Sequence, residues 1–129
     1  MKKYENFCNA FQNLKDVYDY DEPYTNVEMF GLVALYEICF EQAWKAMKEI
    51  LEQQGFAEER TGSPKIVLKT ASAAGMIKDK DIWMAALNAR NNVAHSYNKE
   101  IALDIINQTK DKFYRMFEEL KSEIDTNWI

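Results

Sequence analysis

Apolar residues recur along this chain at intervals of three and four, the repeat of a helix face turned toward a core. In the first segment they fall at Tyr4, Phe7, Cys8, Phe11, Leu14 and Tyr18, which predicts a helix over residues 2–18. Asp19-Tyr20-Asp21-Glu22-Pro23 interrupts the pattern, because an acidic cluster followed by proline favours a loop. Thr25-Asn26-Val27-Glu28 then reads as a capping box, in which the Thr25 hydroxyl and the Glu28 carboxylate each accept from an orphan backbone N–H. The helix it starts extends to residue 54, and Gly55 supplies the stop. This helix has two adjacent apolar stripes. One is Phe30, Val33, Phe40, Trp44, Met47 and Leu51; the other is Met29, Leu32, Tyr36, Cys39, Ala43, Ala46 and Ile50. A face that wide exceeds what one neighbour covers, so the helix is central to the fold or also packs on a second chain. Glu37, Glu41, Lys45, Lys48 and Glu52 form its polar edge, read either as a solvated face or as the acidic margin of a site.

Residues 56–62 form a polar loop. Ser63 and Pro64 suit the cap and first position of a short helix that closes at Gly75. Residues 76–80 connect it to a fourth helix, capped by Asp79 or Asp81, which turns Ile82, Trp83, Ala86, Leu87 and Val93 inward. That helix frays over residues 95–98. A last helix spans 99–124, with Ile101, Ala102, Ile105, Ile106, Phe113, Met116, Phe117, Leu120 and Ile124 along one face. No segment alternates with the period of a strand. The expected fold is all-α: an antiparallel up-and-down four-helix bundle with one short extra helix, formed by residues 1–129 as a single domain.

Composition narrows the function. The 16 basic and 21 acidic residues leave a net charge of −5. An acidic chain lacks the broad cationic surface of a general nucleic-acid binder, so any RNA contact must use a local basic patch. Lys65, Lys69, Lys78 and Lys80 are the candidates, with Lys65 and Lys69 as substrate contacts. Cys8 and Cys39 both lie on apolar helix faces, where a free thiol packs as a small hydrophobe. One histidine and two cysteines give no zinc-ligand spacing, and no metal or cofactor is expected. The opening residues lack the apolar stretch of a secretory leader. No apolar run approaches the ~18 residues of a membrane span. A cytoplasmic protein without membrane contact is expected.

The chemistry concentrates in Arg90-Asn91-Asn92-Val93-Ala94-His95-Ser96-Tyr97, which holds the only histidine. A guanidinium supplies a fixed charge that matches phosphate oxygens. An imidazole can remove a 2′-hydroxyl proton and then protonate a leaving 5′-oxygen, the two transfers that RNA cleavage needs. Arg90 and His95 are therefore the candidate catalytic pair, with Asn91 in a supporting role. Residues five apart on an ideal helix point about 140° from each other. They converge only if the helix ends near His95, or if two copies of the segment meet across a two-fold axis.

Arg90-Asn91-x-x-x-His95-x-Tyr97 in the penultimate helix of a short all-α chain resembles the HEPN superfamily. More narrowly, it is similar to the branch of nucleotidyltransferase substrate-binding proteins encoded beside minimal nucleotidyltransferases. The resemblance includes Phe40-Glu41-Gln42-Ala43-Trp44-Lys45, Ser63-Pro64, Ala74-Gly75-Met76-Ile77, Trp83 and Tyr97-Asn98-Lys99-Glu100-Ile101-Ala102. It implies a homodimer whose cleft is lined by Arg90 and His95 of both chains, and a metal-independent ribonuclease that acts as the toxin of a toxin–antitoxin pair. It also implies a minimal nucleotidyltransferase from a neighbouring gene as partner, with Tyr97 as acceptor of a transferred AMP. The resemblance is to the partner of a nucleotidyltransferase and not to the transferase itself. Two rival readings follow from the same residues. One is a non-catalytic subunit that presents substrate to the transferase. The other is a helical interaction protein in which His95 packs or caps.

Overall fold

A computed structural model describes residues 2–56 and 62–129, so most of the predicted 56–62 loop lies outside the described residues. The helices are α1 (Lys2–Leu14), α2 (Asn26–Gln53), α3 (Pro64–Ala73), α4 (Lys80–Asn91), α5 (Lys99–Gln108) and α6 (Tyr114–Asn127). A 3₁₀ segment, Lys15–Asp19, prolongs α1, and a π-helical turn, Thr109–Phe113, joins α5 to α6 in one continuous rod. The all-α class is as expected, and no strand occurs among the described residues. No helix among them is long and apolar enough to cross a membrane.

The predicted start and stop signals operate through local chemistry. The Thr25 hydroxyl accepts from the Glu28 N–H at 3.1 Å while the Glu28 carboxylate accepts from the Thr25 N–H at 2.8 Å. Ser63 accepts from the Ile66 N–H, and of the two aspartates offered for α4 it is Asp79 that caps, accepting from Ile82 at 3.1 Å. Gly55 and Gly75 take φ of +80° and +83°, the left-handed turn that lets Phe56 donate to the Leu51 carbonyl and Met76 to that of Ala71.

Aromatic contacts fix the helix directions. Tyr4 at the start of α1 donates its hydroxyl to Asp125 near the end of α6. Phe7 meets Phe117 at 6.1 Å and Phe11 stacks on Tyr114 at 5.0 Å, so α1 and α6 run antiparallel. On α4, Trp83 lies 5.6 Å from Phe117 and 6.2 Å from Phe40 of α2. The buried Tyr36 hydroxyl donates to the Ala86 carbonyl, a second tie between α2 and α4.

One open alternative is decided, and two expectations need correction. Both apolar stripes of α2 are buried within this chain except Phe30, which is 48% exposed, so α2 is central and its surplus apolar surface is small. What remains outside is Val27, Phe30 and Ile38. Tyr18 is not a core residue: it is 47% exposed and donates to the Lys110 carbonyl at 2.8 Å. The last helix is not a uniform α-helix. Ile105, Thr109, Phe113 and Phe117 are spaced by four, and each step of four turns an α-helical face by about 40°. The wider π turn takes up that drift and keeps all four buried. Its Lys110 also fastens the 19–24 loop, bonding the Tyr24 hydroxyl at 2.9 Å and lying 5.4 Å from that ring's centre.

Candidate functional site

The Arg90 to Tyr97 segment straddles a helix end. α4 closes at Asn91, and the Asn92 N–H still donates to the Asn88 carbonyl at 3.1 Å. One 3₁₀ turn, Val93–His95, follows. The Asn98 side chain then caps α5, accepting from Glu100 at 2.9 Å. The expected fraying over 95–98 is thus an ordered turn, with Asn98 donating its N–H to the His95 carbonyl at 3.0 Å. Because the helix breaks between Arg90 and His95, the separation imposed by an unbroken helix does not apply to them.

Arg90 is half-buried and held. Its Nε donates to Glu41 Oε1 of α2 at 2.5 Å, and its Nη1 to the Asn91 side-chain oxygen at 3.2 Å. The other Glu41 oxygen accepts from the Trp44 indole N–H at 3.0 Å. A guanidinium carries five donors, so this grip fixes the plane while leaving part of the fork for another acceptor. Sequence reasoning placed Glu41 on a polar edge read either as solvated or as the margin of a site, without naming Arg90 as its partner. Its pairing joins residues 49 positions apart, and no local pattern reports that.

His95 is exposed, and its ring lies 6.2 Å from that of Tyr97, tilted at 69°. No hydrogen bond or ion pair among the described residues occupies the imidazole or joins it to Arg90. It neither packs in the core nor caps a helix, which removes the geometry that a purely structural histidine required. Tyr97 is 77% exposed, so its hydroxyl is open to a second enzyme.

Lys65 and Lys69 stand one turn apart on the exposed side of α3 and make no ion pair among the described residues. Lys78 and Lys80 do not belong with Arg90. Lys80 opens α4 and Arg90 nearly closes it, about 15 Å along the axis. Lys78 instead faces Glu123 of α6 at 3.9 Å. Cys39 is buried, and that burial pushes its thiol well above the ordinary range, so it is a packing group and not a nucleophile. Cys8 is also a free thiol, partly buried. No group of three or more potential metal ligands gathers among the described residues.

Residues 2–126 match the family described as nucleotidyltransferase substrate binding protein like. The chain belongs to this family. The resemblance read from the Arg90 to Tyr97 motif, to the nucleotidyltransferase-associated branch of the HEPN superfamily, is thereby borne out, and family membership implies a nucleotidyltransferase as partner. A curated relative, "Probable ribonuclease HepT" of Haemophilus influenzae, is 30% identical over 83 residues, covering 63% of this chain and 57% of the relative. The match therefore spans little more than half of that protein. A solved structure from Thermus thermophilus superposes with a TM-score of 0.81 at 25% identity, covering 92% of this chain and 98% of the other. A second solved structure, from Haemophilus influenzae, superposes with a TM-score of 0.80 at 23% identity over 93% and 97% of the two chains. Its description is the fold of a substrate binding domain of a nucleotidyltransferase.

Proposed function

We propose that this family member is a metal-independent endoribonuclease, the toxin subunit paired in the cytoplasm with a minimal nucleotidyltransferase that neutralises it. The observation that carries the reading is an exposed His95 with an unoccupied ring, one turn past the end of the helix in which Arg90 is held by Glu41 and Asn91. His95 acts as base toward the 2′-hydroxyl and then as acid toward the 5′-oxygen, and Arg90 stabilises charge on the phosphoryl oxygens. Asn91 orients Arg90, and Lys65 and Lys69 offer further phosphate contacts. The relative named as a ribonuclease supports the same reading. Cleavage of RNA by the purified chain, and its loss without His95, tests it.

The family description favours a second reading, a subunit that presents substrate to the transferase without cleaving it. That reading keeps ligand binding when His95 is replaced, whereas the first loses turnover.

The catalytic cleft is completed by a second copy of this chain. The outward edge of α2 supports this, since Val27 (83% exposed), Phe30 (48%) and Ile38 (52%) line one side of it. Gly31 lies between them with nothing within 4 Å of the position a Cβ would take, which allows close approach of another helix. Light scattering is expected to give twice the mass of one chain, and Ile38→Asp to shift the protein toward monomer. A monomer at all micromolar concentrations, with or without the transferase, would remove the shared cleft.

Tyr97 is the site through which the partner inhibits. An AMP on its hydroxyl places an anionic group two residues from His95, where it competes with RNA phosphate for Arg90. Incubation with the neighbouring transferase, ATP and Mg²⁺ is expected to add one AMP mass to the peptide containing Tyr97 and to stop cleavage. An unmodified Tyr97 beside a transferase active on another substrate would leave inhibition to binding alone.

A further inference from the structure

The outward edge of α2 changes character at Glu41. Before it come the exposed Val27, Phe30 and Ile38 with Glu37 among them; after it come Lys45, Lys48, Glu49 and Glu52. Beside this second half, between it and the start of α1, lies a groove of about 330 Å³ lined by Lys3, Trp44, Lys45, Lys48, Glu49 and Glu52. Three lysines against two glutamates make it locally cationic, 3 − 2 = +1, in a chain whose net charge is −5. Lys48 pairs with Glu52 at 3.2 Å, while Lys3 and Lys45 have no ion pair among the described residues. One carboxylate oxygen of Glu49 is buried without a hydrogen-bond partner. A buried acceptor left open is costly and calls for a donor.

Trp44 connects this groove to the motif. It forms part of the groove wall, and its indole N–H bonds the Glu41 carboxylate that also holds Arg90. Glu41, Lys45 and Lys48 follow one another on a single stripe of α2, with Lys48 about 10 Å along the axis from Glu41. A strand whose phosphate sits at Arg90 can therefore continue past Trp44 onto both lysines.

We propose that this groove binds the nucleotide of an RNA strand next to the phosphate held at Arg90. Lys45 and Lys3 take its phosphate oxygens, and Glu49 accepts from its 2′-hydroxyl or a base N–H. The proposal rests on the ribonuclease reading for the identity of the strand, and it locates strand contacts on α1 and α2 that the motif itself does not contain. An acidic chain needs such a local patch, because phosphate contacts supply most of the sequence-independent affinity.

The test compares wild type, Lys3→Ala/Lys45→Ala, Lys3→Arg/Lys45→Arg and Arg90→Lys, all shown to be folded by circular dichroism. Two probes are used: a cleavable single-stranded RNA, and a fluorescent 2′-O-methyl oligonucleotide that cannot be cleaved. The alanine pair is expected to raise KM for the RNA and Kd for the oligonucleotide about tenfold or more, with kcat changed far less. Its dependence of log Kd on log salt is expected to flatten by roughly the counterion release of two phosphates, and the arginine pair to restore binding. Unchanged KM and Kd in the alanine pair, alongside lost cleavage in Arg90→Lys, would overturn the groove and leave the ribonuclease reading standing. Lysine-dependent oligonucleotide binding without any wild-type cleavage would uphold the groove and overturn the ribonuclease reading. A wild type that neither binds nor cleaves would overturn both.

Discussion

Replacing His95 by alanine is expected to lower RNA cleavage by at least about 10²-fold, the usual cost of removing a general acid–base group. The side chain is exposed and has no hydrogen-bond partner among the described residues, so its loss leaves no buried group unsatisfied and the fold should be unaffected. Arg90→Ala is expected to be comparably inactive, but it also strips Glu41 of its charged partner, a half-buried carboxylate. Arg90→Lys is the cleaner variant. It keeps the positive charge while removing the planar fork that meets Glu41, Asn91 and phosphate together. Low activity in this variant would therefore report geometry and not charge. Cleavage by wild type is expected to persist in EDTA, because the proton transfers and the charge stabilisation are assigned to His95 and Arg90. The measurement is single-turnover cleavage of labelled RNA, with circular dichroism and denaturant midpoints as controls. Full activity in His95→Ala, or activity restored only by a divalent ion, would overturn the assignment.

What the sequence reveals of this site depends on how local each determinant is. The capping box at Thr25, the Ser63 and Asp79 caps, and the left-handed glycines at 55 and 75 act over three to five residues, so they can be read from the string. The α2 stripes identify the central helix for the same reason. The stripes alone could not separate burial by this chain from burial by a second one; the neighbouring helices cover nearly all of them. The π turn escapes because it answers a tertiary demand, the burial of Ile105, Thr109, Phe113 and Phe117 together. At the site, the chemistry-bearing residues were legible as types at a spacing, but their surroundings were not. Lys78 and Lys80 look close to Arg90 in sequence, yet the rise of α4 carries them to the far end of the bundle. Glu41 is distant in sequence and bonded in space.

Phe117→Ala is expected to cost about 3–5 kcal/mol of folding free energy, the range for truncating a large buried aromatic. Phe117 is fully buried, and its ring meets one aromatic from each of the other long helices. The neighbours are Phe7 of α1 at 6.1 Å, Tyr36 of α2 at 6.2 Å and Trp83 of α4 at 5.6 Å. No single helix can move to fill the space left by the ring without loosening its packing elsewhere, so the cavity closes poorly and the cost lies toward the upper part of the range. Guanidinium unfolding followed by circular dichroism is the measurement. Ile66→Ala, on the exposed side of α3, serves as control and should change stability by no more than about 0.5 kcal/mol. A midpoint shift in Phe117→Ala no larger than in Ile66→Ala would mean that this ring does not organise the core. The same packing reaches the site. Trp83 packs on both Phe117 and Phe40, which fixes α4 against α2. Arg90 follows Trp83 by about two helical turns, and Glu41 follows Phe40 directly. The pairing of Arg90 with Glu41 is therefore set by how tightly these three aromatics hold the two helices together. Below the unfolding transition, Phe117→Ala should lose cleavage activity in greater proportion than its unfolded fraction.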